Sequence, residues 1–272
     1  MRFATDPYRR LFVAGFRRRT TYRMAVLAGV VTNSVFGLVR CAVLLAMAAT
    51  ATATASSDLA GYDAASLLSY AFITQALLGP VDIWSGSDLR DRIRTGDIAV
   101  DLARPLDVPT AFLAHGLGSS AATVIPRSLP TLAVGIAVVG VRLPTDPAVW
   151  TAGLVAIALA MLVSQLSRFL LQCAAFWITE TRGLLSLYAG AAGILSGLIV
   201  PVAIMPEWLQ SLSRVTPFPS LLQAPADLLS GRIAGAQVWS VLGTQLFWSV
   251  ALALAVRLAF RAGTRRLVVA GG

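Results

Sequence analysis

Apolar residues fill long stretches of the chain, and short polar segments separate them. Several stretches reach the roughly 20 residues that a helix needs to cross about 30 Å of hydrocarbon. The pattern therefore predicts an all-α integral membrane protein with six transmembrane helices. The predicted spans are 24–47, 64–84, one kinked span within 108–141, 149–177, 183–202 and 238–260. The alanine- and threonine-rich tract 48–56 is predicted to be a short outer loop.

Two stretches rich in proline interrupt this regular pattern. The first, 108–141, is too long for one perpendicular span and contains three prolines, which disrupt a helical hydrogen-bond ladder. We expect a short interfacial piece there, followed by the kinked span. The second, 201–235, is too interrupted to cross and too apolar for a free loop. Because backbone at membrane depth must be buried in protein or line a cavity, we expect half-inserted helices on the outer side.

The segment 7–20 carries aromatic residues at a helical spacing. Tyr8, Phe12 and Phe16 are four residues apart, and arginines flank them at both ends. This arrangement predicts an N-terminal amphipathic helix that lies in the membrane interface. A disordered basic tail is the alternative that the sequence leaves open.

Composition and charge place the chain in the membrane and orient it. Hydrophobic residues make up 57% and charged residues 13%, whereas about a quarter of a typical soluble domain is charged. The 22 basic residues are all arginine and give a net charge of +9. Sixteen arginines fall on one predicted side and three, Arg142, Arg214 and Arg232, on the other. The positive-inside rule then predicts that both termini are cytoplasmic, and it makes nucleic acid the weaker interpretation of the basic charge.

The sequence lacks the motifs of a nucleotide-hydrolysing or metal-dependent enzyme. Without any lysine there is no phosphate-binding P-loop, so we expect no cofactor in this chain. Cys41 and Cys173 lie inside apolar runs, and His115 has no ligand-type neighbour at a suitable spacing, so we expect neither a catalytic nor a metal site. The glycines of 116–121 match a loose dinucleotide fingerprint but follow no strand. We therefore expect a protein that is not an enzyme.

Four charged residues lie within or near the predicted spans: Arg40, Asp82, Arg127 and Arg168. A bare charge in the membrane costs at least a few kcal/mol, so each should meet water, protein or an opposite charge. Asp82 and Arg168 are predicted to reach an interface by extending their side chains. The sequence leaves the surroundings of Arg40 and Arg127 open.

Two stretches of the sequence resemble the ABC type-2 permeases, the membrane subunits of bacterial ABC exporters. The first is Ile-Arg-Thr-Gly-Asp-Ile-Ala-Val-Asp-Leu-Ala-Arg-Pro-Leu at 93–106, which is similar to an inner-loop signature of the branch with often paired permease chains. The second combines the motifs at 197–201, 206–209 and 216–219 with Gly231. With the N-terminal helix and six spans, the resemblance covers nearly the whole chain, 1–272, as a single permease domain in a bacterial cell membrane.

The resemblance implies an assembly of two permease chains, identical or sister, on two separate ATPase subunits that bind ATP and Mg²⁺. The segment 85–107 would be the cytoplasmic coupling element that contacts the ATPase, although a solvated loop would show the same mixed charge. The residues expected to carry this contact are Arg90, Asp91, Arg92, Arg94, Gly96 and Asp97.

The implied function is the outward movement of a drug, natural product, lipid or similar small amphiphile by alternating access. Asn33 and Arg40 are candidates for the pathway or for the interface between permease chains. Gly193 and Gly197 are further candidates, because small residues four apart on a helix permit close helix packing. The alternative is a secondary transporter driven by an ion gradient, which would require an internal repeat and a mid-membrane carboxylate.

Overall fold

The computed structural model describes residues 6–20, 23–53, 60–84 and 88–267, and every secondary-structure element in these ranges is a helix. The all-α prediction is confirmed. The longer elements are α1 Asp6–Thr20, α2 Arg23–Ala53, α3 Ala64–Leu77, α6 Val108–Thr123, α7 Leu129–Val139, α8 Pro147–Gln172, α9 Arg182–Leu195 and α12 Gln237–Thr264. The shorter ones are α4 Asp88–Thr95, α5 Ile98–Leu102, α10 Glu207–Arg214 and α11 Gln223–Leu229.

Four helical stretches within these ranges are long and apolar enough to cross a membrane. They are Met24–Thr50, Val108–Val139, Pro147–Phe176 and Gln237–Thr264. The helices α3 and α9 are apolar but have only 14 residues each. At 1.5 Å per residue, such a helix is roughly 21 Å long and too short to cross the hydrocarbon by itself.

Helix α2 continues further than the sequence indicated. The predicted loop at 48–56 is wrong for residues 48–53, because α2 extends to Ala53. Alanine is the strongest helix former, and this property outweighs the lower propensity of the intervening threonines. The rest of that predicted loop, residues 54–56, lies outside the described residues.

Helix α3 ends earlier than predicted, at Leu77 rather than near residue 84. Pro80 lacks a backbone N–H and cannot continue the helix. The following residues nevertheless remain buried, with Val81 fully enclosed. The hydroxyl of Ser164 in α8 donates to the carbonyl of Val81 at 2.5 Å. The non-helical backbone is therefore satisfied inside the protein, as a membrane environment requires.

The stretch Val108–Val139 forms one continuous helical rod of 32 residues. The separate interfacial piece predicted at its start is wrong, because Pro109 occupies the first turn, where no N–H donor is needed. A π-helical segment, Val124–Ser128, joins α6 to α7 around Pro126. At the position where the sequence predicted a kink, the helix is locally widened into this π-helical segment.

Helix α9 also ends early, at Leu195, whereas the sequence predicted a span to residue 202. Gly197 follows with a φ of 81°, a left-handed conformation that favours glycine. Gly193 and Gly197 therefore do not share a helix face, and the packing motif predicted from their spacing is wrong.

The stretch 201–235 forms short helices, of which α11 is almost completely buried. It packs against α3 and α8. Helix α3 lies at the centre of the bundle, with residues 69–77 all buried, and contacts α2, α7 and α11. Helix α11 lies near the start of α8 and α4 near its end. These two ends of the bundle are separated by the 26 residues of α8, roughly 39 Å.

Candidate functional site

Helix α1 packs closely along α6. A Cβ atom on Gly15 would collide with the backbone carbonyl of His115, and one on Gly118 would collide with that of Phe12. The hydroxyl of Tyr8 accepts a hydrogen bond from the N–H of Asp107 at 3.1 Å. These contacts show that α1 is a docked helix, and a disordered tail is excluded for Asp6–Thr20.

A charged cluster lies where α1 ends beside α8. The carboxylate of Asp82 is 3.6 Å from a guanidinium nitrogen of Arg168 and 3.9 Å from one of Arg19. The amide oxygen of Gln165 accepts a hydrogen bond from Arg168 at 2.8 Å. Asp82 and Arg168 thus each provide the opposite charge that the other needs, and their predicted extension to a membrane interface stays a prediction.

This cluster forms one wall of a cavity of about 470 Å³ between α1, α6, α8 and α12. Four arginines and two aspartates line it: Arg18, Arg19, Arg168, Arg257, Asp82 and Asp88. The remaining lining is mixed: apolar side chains such as Phe112, Leu113, Leu166, Phe169 and Val256 alternate with polar ones, namely Thr110, His115, Ser119, Ser120, Gln165 and Gln172. A second cavity of about 450 Å³ lies beside it, between α1, α6 and the α4–α5 segment. Arg18, Asp88, Phe112 and His115 line both cavities.

Helices α4 and α5 form a compact hairpin, which we call the coupling hairpin after the role that the sequence predicts for it. The guanidinium of Arg92 pairs with both carboxylate oxygens of Asp101. Gly96 makes the turn between the helices with a φ of 83°. Asp97 accepts a hydrogen bond from the hydroxyl of Thr95 at 2.8 Å. Arg92 therefore holds the hairpin together and is not free to act only as a surface charge.

The remaining predicted residues of the hairpin lie on or near its surface. Arg90 pairs with Asp91 at 2.7 Å, while Arg94 and Asp91 are exposed. Leu89 and Ile98 are buried and anchor the hairpin to the bundle.

A glutamine side chain connects the coupling hairpin to α8. The amide oxygen of Gln172 accepts hydrogen bonds from the backbone N–H of Leu89 at 3.0 Å and from that of Arg90 at 3.4 Å. The first turn of a helix has unpaired N–H groups, so this contact acts as an N-cap supplied by another helix. The orientation of the hairpin is thereby tied to the end of α8.

The connection between α8 and α9 lies on the same side as the coupling hairpin. A backbone hydrogen bond from Arg182 lowers the pKa of Glu180 below its ordinary value, and the nearby charges of Arg182, Arg94 and Arg90 lower it further. Glu180 is therefore a carboxylate within the electrostatic reach of the hairpin arginines.

Asn33 and Arg40 both point from α2 into the bundle. Asn33 donates to the carbonyl of Gln75 at 2.9 Å and accepts from Arg127 at 3.2 Å. Arg40 donates to the hydroxyl of Thr74 at 2.6 Å and to the carbonyl of Ala71 at 3.2 Å. Within the described residues, no group accepts a hydrogen bond from its Nη2.

A second polar network fixes the opposite end of the bundle, and Gln223 of α11 is its centre. The amide oxygen of Gln223 accepts from the hydroxyl of Tyr70 at 2.6 Å, and its nitrogen donates to Tyr62 at 2.9 Å and to Asp227 at 2.7 Å. Asp227 also pairs with Arg232 at 2.9 Å. Burial and the Asp227 charge raise the pKa of Tyr62 well above its usual value, so its hydroxyl remains the donor to that carboxylate.

A family model described as ABC-2 family transporter protein matches residues 38–271. The chain belongs to the ABC-2 transporter family. It is a multi-pass membrane subunit of a transport system, an ABC-2 permease, and subunits of this kind are not themselves catalytic. The comparison with curated proteins gives no match. Helix α1 and the first part of α2 precede the matched region.

The permease structure brings some of the predicted residues together and separates others. Asn33 and Arg40 join one buried polar face against α3, and the six coupling residues share one hairpin. Gly193 lies within α9, whereas Gly197 packs beyond its end against Tyr70 and Gln223. The roles predicted for these residues in the pathway and in coupling remain predictions.

Sequence reasoning missed several polar residues of the permease. In the sequence, Gln172 looks like any polar residue near the end of a helix, and the residues next to it do not indicate its hydrogen-bond partner. Gln223 and Asp227 did carry a signal, since they are four residues apart within an apolar stretch and share a helix face. Groups of three or more histidine, cysteine or carboxylate side chains that could hold a metal ion do not occur in the part of the chain that the structure describes.

Proposed function

We propose that this permease is the membrane-spanning subunit of an ATP-driven exporter. Separate ATPase subunits would bind ATP and Mg²⁺, and the coupling hairpin would transmit their movement to the permease. The observation that carries this proposal is the contact of Gln172 with Leu89 and Arg90, because it gives the hairpin a direct connection to a helix of spanning length.

The exposed side of the coupling hairpin suits a protein groove. Val100 and Leu102 of α5 are 55% and 41% exposed, and the same hairpin exposes both charge signs on Arg94 and Asp97. Exposed apolar residues rimmed by charge are typical of an interaction surface, whereas a solvated loop has no need of them. The surface therefore supports an ATPase as the partner of the segment 85–107.

The proposed topology has six crossings with both termini in the cytoplasm. The four long spans would be completed by α3 and α9, each extended by buried non-helical backbone. The rod Val108–Val139 is roughly 48 Å long, so its first turns would extend beyond about 30 Å of hydrocarbon. Helix α1 packs against those turns, which supports its placement in the cytoplasmic interface. The segment 201–235, with the Gln223 network, would then close the outer side.

Transport would follow alternating access between two permease chains, identical or sister. Closure of the ATPases would move the two coupling hairpins, and α8 would move with the hairpin of its own chain through Gln172. The cavity near Asp82 would be open to the cytoplasmic side before this movement. A small amphiphile would enter there and leave on the outer side.

An ion-gradient mechanism has less support from the structure. Such a transporter needs a carboxylate that is available to an ion or proton. Asp82, the carboxylate that the sequence places within or near a span, is instead shared by two guanidinium groups.

Co-purification with an ABC ATPase encoded beside the gene tests the proposal. The ATPase should remain bound to the permease in detergent, and its ATP turnover should change when the permease is present. A permease carrying the outer substitution Arg214→Glu is the matched control and should bind the ATPase equally well. Failure of the unsubstituted permease to retain the ATPase would refute the exporter assignment.

A further inference from the structure

We propose that the cavity between α1, α6, α8 and α12 binds an anionic amphiphile, with its phosphate or carboxylate head at the arginines and its apolar part along the aromatic wall. This inference names a substrate class for the proposed exporter and rests on that function for the transport step. Binding itself requires only the permease chain.

The charges that line the cavity favour an anion. Asp82 is already shared by Arg19 and Arg168, and Asp88 lies 3.7 Å from Arg18. Both carboxylates thus already form ion pairs with arginines. Arg257 of α12 adds a further positive charge, and within the described residues no carboxylate pairs with it. A phosphate or carboxylate would gain charge-assisted hydrogen bonds from the guanidinium groups, whereas a cationic head would meet repulsion.

The apolar patch in the cavity lining suits a hydrocarbon or aromatic body. Phe112 and Phe169 meet edge to face with ring centroids 5.9 Å apart, and Leu113 and Val256 continue this apolar surface. The cavity volume of about 470 Å³ lies within the range of small-ligand sites, about 300–1,000 Å³. A site that combines arginines with a patch of aromatic and aliphatic side chains suits a molecule with a charged and an apolar part.

The position of α1 favours the membrane as the source of the ligand. Its arginines Arg18 and Arg19 line the cavity, and its aromatic residues Phe12 and Phe16 are exposed beside it. An interfacial helix that forms a cavity wall places the opening at the level of the lipid headgroups. An amphiphile in the inner leaflet could then enter sideways, while a soluble anion would have to come from the cytosol.

Binding to the full-length permease in zwitterionic nanodiscs tests the proposal, with empty nanodiscs as the blank. The probes are dodecyl phosphate, dodecyltrimethylammonium with the same chain, and inorganic phosphate. Dodecyl phosphate should bind saturably and more tightly than the other two. Arg257→Gln should weaken it about tenfold, the effect of losing one charge-assisted hydrogen bond. Arg261→Gln, one turn further along α12 and outside the cavity lining, should leave it unchanged.

The other outcomes separate the alternatives. Equal or tighter binding of dodecyltrimethylammonium would refute the preference for an anionic head group. Equal binding of inorganic phosphate would refute the need for an apolar chain. Equal losses in Arg257→Gln and Arg261→Gln would mean unspecific attraction to basic residues and would also overturn the site. Should Arg257→Gln fail to fold, Arg18→Gln replaces it, because the Arg18 side chain is 70% exposed. Absence of binding in a permease that still retains its ATPase would refute the substrate class and leave the exporter assignment intact.

Discussion

The amide oxygen of Gln172 in α8 accepts a hydrogen bond from the backbone N–H of Leu89 in α4 at 3.0 Å. Both residues are buried, so water does not compete for this contact. A helix on the proposed ATPase side is thereby capped by a side chain from a helix of spanning length. Any displacement of α4 must either move α8 with it or break this bond.

Gln172→Ala should loosen the coupling hairpin while leaving the bundle folded. Loss of the cap removes about 1 kcal/mol from the first turn of α4. Amide exchange at Leu89 and Arg90 should therefore accelerate about fivefold, as hydrogen–deuterium exchange can measure. Gln237→Ala, at the exposed start of α12, is the control. Unchanged exchange at both amides would contradict the connection between α4 and α8.

Arg94→Glu should weaken ATPase binding by about tenfold without affecting membrane insertion. Arg94 is exposed and lies outside the salt bridge of the hairpin, so reversal changes only the charge of the proposed docking surface. Arg92→Glu should also weaken binding, but through loss of the Arg92–Asp101 pair and of the hairpin fold. Affinity measured on immobilised ATPase, with exchange of the hairpin amides as the structural readout, distinguishes the two. Full affinity of Arg94→Glu would place the docking surface elsewhere.

Gly118→Ala and Gly190→Ala should change stability in opposite directions. Both glycines lie within helices, but a Cβ at Gly118 collides with the backbone of α1, whereas a Cβ at Gly190 meets open space. Overpacking at Gly118 should destabilise the protein by about 1–3 kcal/mol. The helix propensity of alanine should stabilise Gly190→Ala by up to about 1 kcal/mol. Thermal unfolding in detergent provides the comparison, and equal melting temperatures would argue against close packing of α1 on α6.

Asp227→Asn should destabilise the end of the bundle near α11. It removes the charge that Arg232 needs, and the loss of one partner of a buried pair costs about 3–5 kcal/mol. We expect the lower end of this range, because the Arg232 side chain is 22% exposed. The double variant Asp227→Asn with Arg232→Gln should recover much of the loss, while Arg214→Gln on the exposed side of α10 should be neutral. A double variant less stable than Asp227→Asn would contradict the pairing.

Cysteine labelling should place Arg94 and Arg214 on opposite sides of the membrane. Cys41 and Cys173 are buried and can be replaced by alanine to provide the background. A membrane-impermeant maleimide should label Arg214→Cys in intact cells, and should label Arg94→Cys only after the cells are permeabilised. Labelling of both in intact cells would refute the proposed topology.

Hydropathy predicted the long helices well, because α2, α8 and α12 consist of apolar residues that also form helices readily. It failed at the ends of α3 and α9, since a hydropathy pattern does not distinguish helical from irregular buried backbone. Leu78 and Val81 are as apolar as the helix before them, yet Pro80 between them prevents its continuation. The irregular backbone is stabilised by Ser164, whose role depends on a contact across 83 residues of sequence.

The charged positions were visible in the sequence, but their partners were not. Arg40 was recognisable as an isolated charge, whereas the groups that receive its hydrogen bonds include a backbone carbonyl of α3, which has no sequence signature. The glycines of 116–121 had no apparent purpose until the structure placed Gly118 against α1. In both cases, the information lies in the packing of distant segments.

The π-helical segment Val124–Ser128 determines which face of the second half of the helix Val108–Val139 packs against the bundle. One additional residue in this single turn rotates the residues after it by about 100° relative to the same sequence in an uninterrupted α-helix. The widened turn thus absorbs one residue, and Leu129–Val139 face α2 and α3 as they would if Ile125 were deleted and the turn closed into a regular α-helix. The two halves of this helix can in this way evolve separate packing partners, one half against α1 and the other against the centre of the bundle.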